Sequence, residues 1–396
     1  MIEERPQADT SLHGSDDFPR FSDEELGRRF ALVRAMMDRE GLAALLAYGT
    51  SAAHSEVHFL ADFRVTREAM LTFPREGEPT LFVQFFNHVP NAQRVSFVKD
   101  VRWGGPDTAA TVAEDLKRRG LAGQRIGLAG PLPWQRYETL RRALPAATLV
   151  DATAALQQLR LVKSAEVLAF LRRGAALSDR AVEALEREAR PGLTEYALAA
   201  IVEGAYLGLG GQTHIRYMGT TPMRHPALCV PAQQPSSRVL ARGDVLITEI
   251  SAHYHGYPGQ ILRPFTIGEP PTPAYQRLYD VAVETFWRVA AVVRAGATVE
   301  AVLDAAEGIH ASGYTICDDL AHGFGGGYLP PVVRTRQTGG TSSPGFTFAE
   351  GMTIVIQPNV VTRDEQMGLQ VGELVRVTRE GVESLHRYPM RFIRCG

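Results

Sequence analysis

Cysteine is scarce in this chain. Cys229, Cys317 and Cys395 are the only three, and their wide spacing gives neither a disulfide framework nor a zinc pattern. A reduced, cytoplasmic setting is expected, with each thiol read as a small core residue rather than a nucleophile. Long apolar runs are missing too. No stretch approaches the roughly 18 residues that span a bilayer, and the first twenty residues, MIEERPQADTSLHGSDDFPR, contain no apolar signal-peptide core. Charge of one sign is not in excess. A formal net charge of −2 gives neither nucleic acid nor an anionic membrane surface anything to attract. No Gly-rich phosphate loop, cofactor motif or short-period repeat is present, so no cofactor is expected.

What remains is ordinary for a globular enzyme. The 396 residues are 45% hydrophobic and 22% charged, enough for two domains. Residues 1–20 read as a mobile arm. Ser22-Asp23-Glu24-Glu25 is a capping box that opens a helix to about Glu40. Strand-like runs follow at Leu42–Tyr48, Val57–Phe63, Ala69–Phe73 and Thr80–Phe86. Then come a helix from Asp107 to Arg119, a strand at Arg125–Ala129, a helix from Trp134 to Leu144 and a strand at Thr148–Val150. This alternation predicts an α/β domain with a mixed sheet over residues 21–155. Its expected task is shape, lid or dimer contact.

The second domain, residues 156–396, starts with a linker and a long helix capped by Ser164. Further helices are predicted near Thr194, over Ala274–Ala295 and over Val299–Ala311. Strands are predicted near Ile215–Met218, at Thr353–Asn359 and at Glu373–Thr378. Between them lies the most informative stretch, Gly243 to Gly268, which reads as two strands joined at Gly256. Its ends are apolar, and its middle carries Glu249, His253, His255, Gln260 and Arg263. Helices on a largely antiparallel sheet make this an α+β domain.

Glu249, an acid inside an apolar strand, is a candidate general acid/base or nucleophile; the plainer reading is a buried acid paired with Arg263. His225 sits in a Pro-flanked loop, either as a proton donor to a leaving nitrogen or as a surface histidine. His322 precedes Gly323 and the Gly325–Gly327 run, whose exposed N–H groups could stabilise an oxyanion; otherwise it is a satisfied core histidine. Gln260 and Gln357 can read a polar substrate, and Arg263 can hold a carboxylate. Tyr257 and His253 are further substrate-binding candidates, although a solvent-facing role suits His253 and His255 better. Arg334-Thr335-Arg336 opens a Gly/Ser/Thr-rich loop that is either a lid or plain solvated chain.

Several segments in order resemble the pita-bread family of creatinase, prolidase, aminopeptidase P and methionine aminopeptidase. They are Lys163-Ser164-Ala165-Glu166, Gly243-Asp244-Val245-Leu246, His322-Gly323-Phe324-Gly325, Glu350-Gly351-Met352 with Gln357-Pro358, and Val377-Thr378-Arg379-Glu380-Gly381. The resemblance implies a pita-bread second domain, a hydrolase acting on a small-molecule substrate, and a homodimer. The family's peptidases hold two divalent metals with Asp, Asp, His, Glu and Glu. Carried over, those positions fall on Glu249, Gln260, His322, Gln357 and Gly372. Two carboxamides and a glycine stand where carboxylates belong, and hard cations need anionic oxygens. Metal: none is therefore expected. Creatinase works without metal through a histidine, which His225 matches best. Glu249-Ile250 and Tyr328-Leu329-Pro330-Pro331 resemble the ectoine-hydrolase branch.

The expected activity is a metal-independent hydrolase or lyase acting at a C–N bond, with Glu249, His225 and His322 catalytic. Two alternatives are a metal-dependent Xaa-Pro peptidase with altered ligands and a non-catalytic binding module. The latter gains ground if Glu249, His225 and His322 do not converge.

Overall fold

The computed structural model describes residues 14–15, 18–52 and 55–396. They form two compact units, one ending at Arg160 and one running from Leu161 to Gly396. Most of the expected arm, residues 1–13 and 16–17, lies outside the described residues.

In the first unit, β1 (Gly14–Ser15) pairs with β2 (Phe18–Pro19). Helix α1 (Asp23–Glu40) starts at the predicted cap, where Ser22 Oγ accepts from the Glu25 amide at 3.1 Å. The Glu25 carboxylate turns instead to the guanidinium groups of Arg28 and Arg29. There follow β3 (Ala44–Thr50), α2 (Ser55–Ala61), β4 (Glu68–Pro74), β5 (Thr80–Val83), α3 (Val89–Val95), β6 (Asp100–Trp103), α4 (Thr108–Arg118), β7 (Arg125–Ala129), α5 (Trp134–Ala143), β8 (Thr148–Asp151) and α6 (Thr153–Gln158). The sheet order is β6-β5-β4-β3-β7-β8, with parallel and antiparallel pairs mixed. The Val57–Phe63 run, expected as a strand, lies largely in helix α2. Every side chain of that helix from Glu56 to Ala61 is buried, so it shows no polar face from which a 3.6-residue period could be read.

The second unit contains α7 (Ala165–Glu188), α8 (Glu195–Leu207), β9 (Gln212–Pro222), β10 (Asp244–Tyr254), β11 (Tyr257–Leu262), β12 (Phe265–Ile267), α9 (Pro273–Val292), α10 (Val299–Ala306) and α11 (Gly308–Ala311). After these come β13 (Ala321–Phe324), β14 (Tyr328–Val333), β15 (Thr353–Ile356), β16 (Asn359–Val361), β17 (Gly368–Gln370), β18 (Gly372–Val377), β19 (Val382–Ser384) and β20 (Ile393–Cys395). The main sheet runs β14-β13-β15-β18-β11-β10-β12-β20, with β9 also on β10 and β19 also on β18.

The expected two-stranded hairpin is a three-part element. A two-residue turn at His255–Gly256 (φ 47° and 81°) joins β10 to β11, as type I′ geometry requires. Pro264 lacks an N–H and separates β11 from β12, which pairs with the start of β10. Helices cover one face of the sheet. Ile250 and Ile261 pack with α7 and α8, while Ile354, Ile356 and Val375 pack with residues of α9 and α10. Among the described residues no helix is long and apolar enough to cross a membrane.

Candidate active site

Strand parity assembles the site. Ile261 pairs with Glu373, and Glu373 with Ile356, so these three share the helix-covered face. Their neighbours Gln260, Gly372 and Gln357 therefore point the other way. His322 pairs with Val355, two residues before Gln357, and joins them. Glu249 lies two residues before Ser251, the partner of Gln260, and completes the set on the inner face.

These side chains line a cavity of about 480 Å³, together with Ile215, Tyr217, Val230, Pro231, Gln233, Cys317, Asp318, Tyr328 and Gln370. Tyr217 stands directly across β9–β10 from Glu249. The wall at 230–233 is held from behind by buried Glu195, which accepts from Thr220 and Ser236, one on each side of that loop. Asn359 Oδ1 fixes the opposite wall by accepting from the amides of Cys317 (2.8 Å) and Asp318 (3.0 Å).

Gln260 is the hub. Its Nε2 donates to Gln357 Oε1 at 2.6 Å and to Glu249 Oε1 at 3.1 Å. Gln357 Nε2 in turn donates to the Asp319 carbonyl at 3.2 Å. Glu249 is 6% exposed; burial first, and then the Asp318 carboxylate, push its pKa up to about 8. Burial also raises Asp318 above the usual carboxylate range. His322 is pushed down to about 4, chiefly by burial. Its Nδ1 lies 3.1 Å from the Gly323 carbonyl, which can only accept, so Nδ1 carries the proton and Nε2 is the basic atom. Tyr328 stacks on the His322 ring at 4.1 Å and donates its hydroxyl to Asp319, which fixes the ring's plane.

Four expected residues are placed elsewhere. His225 is exposed in the turn after β9 and does not line the cavity, so the expected convergence of Glu249, His225 and His322 fails and the binding-module alternative gains ground. Arg263 pairs with neither Glu249 nor the cavity. It is fully buried, ion-paired to Glu373, and donates to the carbonyls of Gly372, Tyr388 and Pro389. Tyr257 is buried near Phe170 of α7, away from the cavity lining. His253 is buried rather than solvent-facing, and its Nδ1 accepts from the Gly256 amide at 3.1 Å. The Gly323 approach, expected for a ligand, is made to β14: a Cβ there would lie 2.2 Å from the Pro330 carbonyl oxygen. The Gly325 amide donates to the Gly327 carbonyl and is not free for an oxyanion.

Tyr217, Asp318 and Gln370 are site residues that sequence reasoning missed. The signal for Asp318 was an Asp-Asp pair just ahead of the apolar turn into His322. At the fifth implied metal position, Gly372, a Cβ would meet the Ile356 carbonyl oxygen at 2.3 Å and Gln357 Cα at 2.7 Å.

Comparison with known proteins gives the fold a family. The description "Metallopeptidase family M24" matches residues 169–379, and "Creatinase/Prolidase N-terminal domain" matches residues 29–162. A Sinorhizobium fredii protein described as an uncharacterized hydrolase/peptidase is 25% identical, covering 96% of this chain and 98% of its own. The Xaa-Pro dipeptidase of Pyrococcus furiosus is 22% identical over 66% of this chain and 73% of its own. Among solved structures, an Xaa-Pro dipeptidase from Bacillus anthracis superposes with a TM-score of 0.79 at 20% identity, covering 93% and 99% of the two chains. Dipeptidase PepE from Mycobacterium ulcerans gives 0.77 at 24% identity, covering 95% and 99%. At these identities the superpositions establish the fold alone. With more than half its length matched, the chain belongs to metallopeptidase family M24 and has its two-domain pita-bread fold.

Proposed function

We propose that this chain is a metal-independent, creatinase-like hydrolase that cleaves a C–N bond of a small polar substrate in the inner-face cavity. The observation that carries this is the carboxamide bridge. Where a dinuclear centre needs anionic oxygens, Gln260 donates to Gln357 and Glu249 through one neutral amide. Glu249 holds its proton near neutrality, and position 372 has no side chain and no room for one. The donor set does not fit two divalent ions.

The same residues support acid–base chemistry. Neutral His322 Nε2 takes a proton from water as the water attacks the electrophilic carbon. Protonated Glu249 gives its proton to the departing nitrogen. Of the general acid/base and nucleophile roles expected of Glu249, the acid role is the one proposed, and the proton donation expected of His225 passes to it. Gln260, held in turn by Gln357, fixes the Glu249 carboxyl, and the two carboxamides hydrogen-bond the substrate. The homodimer and the cytoplasmic setting belong to the same reading; light scattering tests the former.

The deciding experiment is a panel of small amides, amidines and guanidines, assayed with and without chelator alongside metal analysis. Activity should survive chelation, and Glu249→Gln should lose about 10²- to 10⁴-fold. Near-stoichiometric manganese, cobalt or zinc that leaves together with activity would overturn the reading. It would favour a metal-dependent Xaa-Pro peptidase, the second reading, which the name of the Pyrococcus furiosus relative supports. No turnover of any substrate, Xaa-Pro dipeptides included, would favour a binding module.

A further inference from the structure

Two of the three cysteines, expected as separate core residues, come together in the fold. A thiol-to-thiol hydrogen bond links Cys229 and Cys317. Their backbones are both pinned to one ribbon, β16–β17. The Cys229 main chain packs so closely on β17 that a Cβ at Gly368 would lie 2.1 Å from the Cys229 carbonyl oxygen. Leu228 bridges Met367 beside it. Thr315 bridges Val361, the β16 partner of Gly368. Two residues on, the Cys317 amide donates to Asn359 Oδ1 at 2.8 Å, and the Cys317 carbonyl accepts from Arg334 at 2.9 Å. Both cysteines are half-buried, and Cys317 lines the cavity. Cys229 directly precedes Val230 and Pro231, which line the opposite wall. Cys395 is buried elsewhere, with its Sγ 3.6 Å from the Leu185 carbonyl oxygen.

The hydrogen bond has a direction. It favours ionisation of Cys229 and opposes that of Cys317, so the Cys317 S–H is the donor. Burial, and then the Glu365 and Asp364 carboxylates, still hold Cys229 above the ordinary thiol range. Cys317 is pushed up to about 12, chiefly by burial. Cys229 is therefore the sulfur that ionises first, and the thiolate is the attacking form.

We propose that Cys229 and Cys317 are a redox-sensitive pair whose disulfide staples the two walls of the cavity together. The oxidant is a low-molecular-weight disulfide. Cys229 loses its proton, attacks one sulfur of the reagent and expels the other as a small thiolate, which leaves a mixed disulfide. Cys317 then loses its proton, attacks the Cys229 sulfur and expels the second small thiolate. The protein gives up two electrons, the reagent takes them, and the two protons end on the released thiols. A disulfide holds its sulfurs at about 2.05 Å, closer than a hydrogen bond does. Oxidation thus draws Val230 and Pro231 toward Cys317 and Asp318. The pair is independent of the reaction the cavity supports.

The test treats the full chain with 2-hydroxyethyl disulfide, digests it without reduction and maps the peptides by mass spectrometry. One cross-link should form, between the peptides that contain Cys229 and Cys317, with Cys395 still free. The cross-link should raise the melting temperature by several degrees, as closing a long loop does, and dithiothreitol should reverse the rise. Cys317→Ser should stop at the mixed disulfide on Cys229. Cys229→Ser should take up reagent at Cys317 at least about tenfold more slowly than that. Wild-type mapping needs no variant and serves where either fails to fold. Stable adducts on Cys229 and Cys317 without a cross-link would overturn the pair. So would a cross-link to Cys395, or three thiols that stay free in excess reagent. A cross-link that changes neither the melting temperature nor the hydrogen exchange of residues 228–233 and 315–319 would overturn the staple.

Discussion

Glu249 keeps its proton near neutral pH because burial removes the water that would stabilise its anion and Asp318 adds a like charge. His322 loses its proton for the first of those reasons. The proposed base must be neutral and the proposed acid protonated. Activity should therefore rise through about pH 4, hold a plateau, and fall through about pH 8. A pH profile of kcat/KM checks this. An alkaline limb that persists in Glu249→Gln would assign it to another group. Asp318 is the natural second candidate, since burial raises it as well. At the same scale, Gly372→Ala should destabilise the chain by about 1–3 kcal/mol, the usual cost of overpacking, because its methyl group would press on the β15 backbone. Urea denaturation reads the loss.

At the scale of elements, much of the site was legible. The eleven-residue step from Glu249 to Gln260 and the His322-Gly323 motif pointed to positions that the strands then bring to one face. The misplacement of Arg263 came from parity. A two-residue turn at His255–Gly256 pairs Tyr254 with Tyr257, which sets Glu249 opposite Leu262 and leaves Arg263 facing away. Knowing the length of that turn would have removed Arg263 from the cavity. Asp318 and Gln370 could not be read so directly. They arrive from a loop and a short strand, β17, whose positions follow from long-range packing rather than local periodicity. Buried Arg263 serves the sheet, so Glu373→Ala should cost about 3–5 kcal/mol by leaving it unpaired. Arg263→Lys should lower the melting temperature without a selective rise in KM. A KM effect at unchanged stability would return Arg263 to the substrate.

For the whole molecule, the alternation of strands and helices up to Val150 and the motif order after Lys163 carried the architecture, because both register at the length of whole elements. The helix at Ser55–Ala61 escaped because full burial hides periodicity. Metal dependence is also testable at this scale. An ion bound only by the folded chain stabilises it by about 2.7 kcal/mol at a hundred times its Kd. Millimolar manganese, cobalt or zinc should leave the melting temperature of the chelator-treated protein unchanged. A rise of several degrees would show a tight site and count against the proposed function.

Gly372 also bears on history and engineering. Restoring the carboxylates at 260 and 357 takes one substitution each. Restoring the one at 372 requires β15 and β18 to part first, because the space a side chain would need is already filled by main chain. From this backbone a side chain at 372 is strained until the main chain at residues 356–357 shifts. Directed evolution toward a metallopeptidase would have to begin with a backbone change at residues 356–357, away from any ligand it seeks to install.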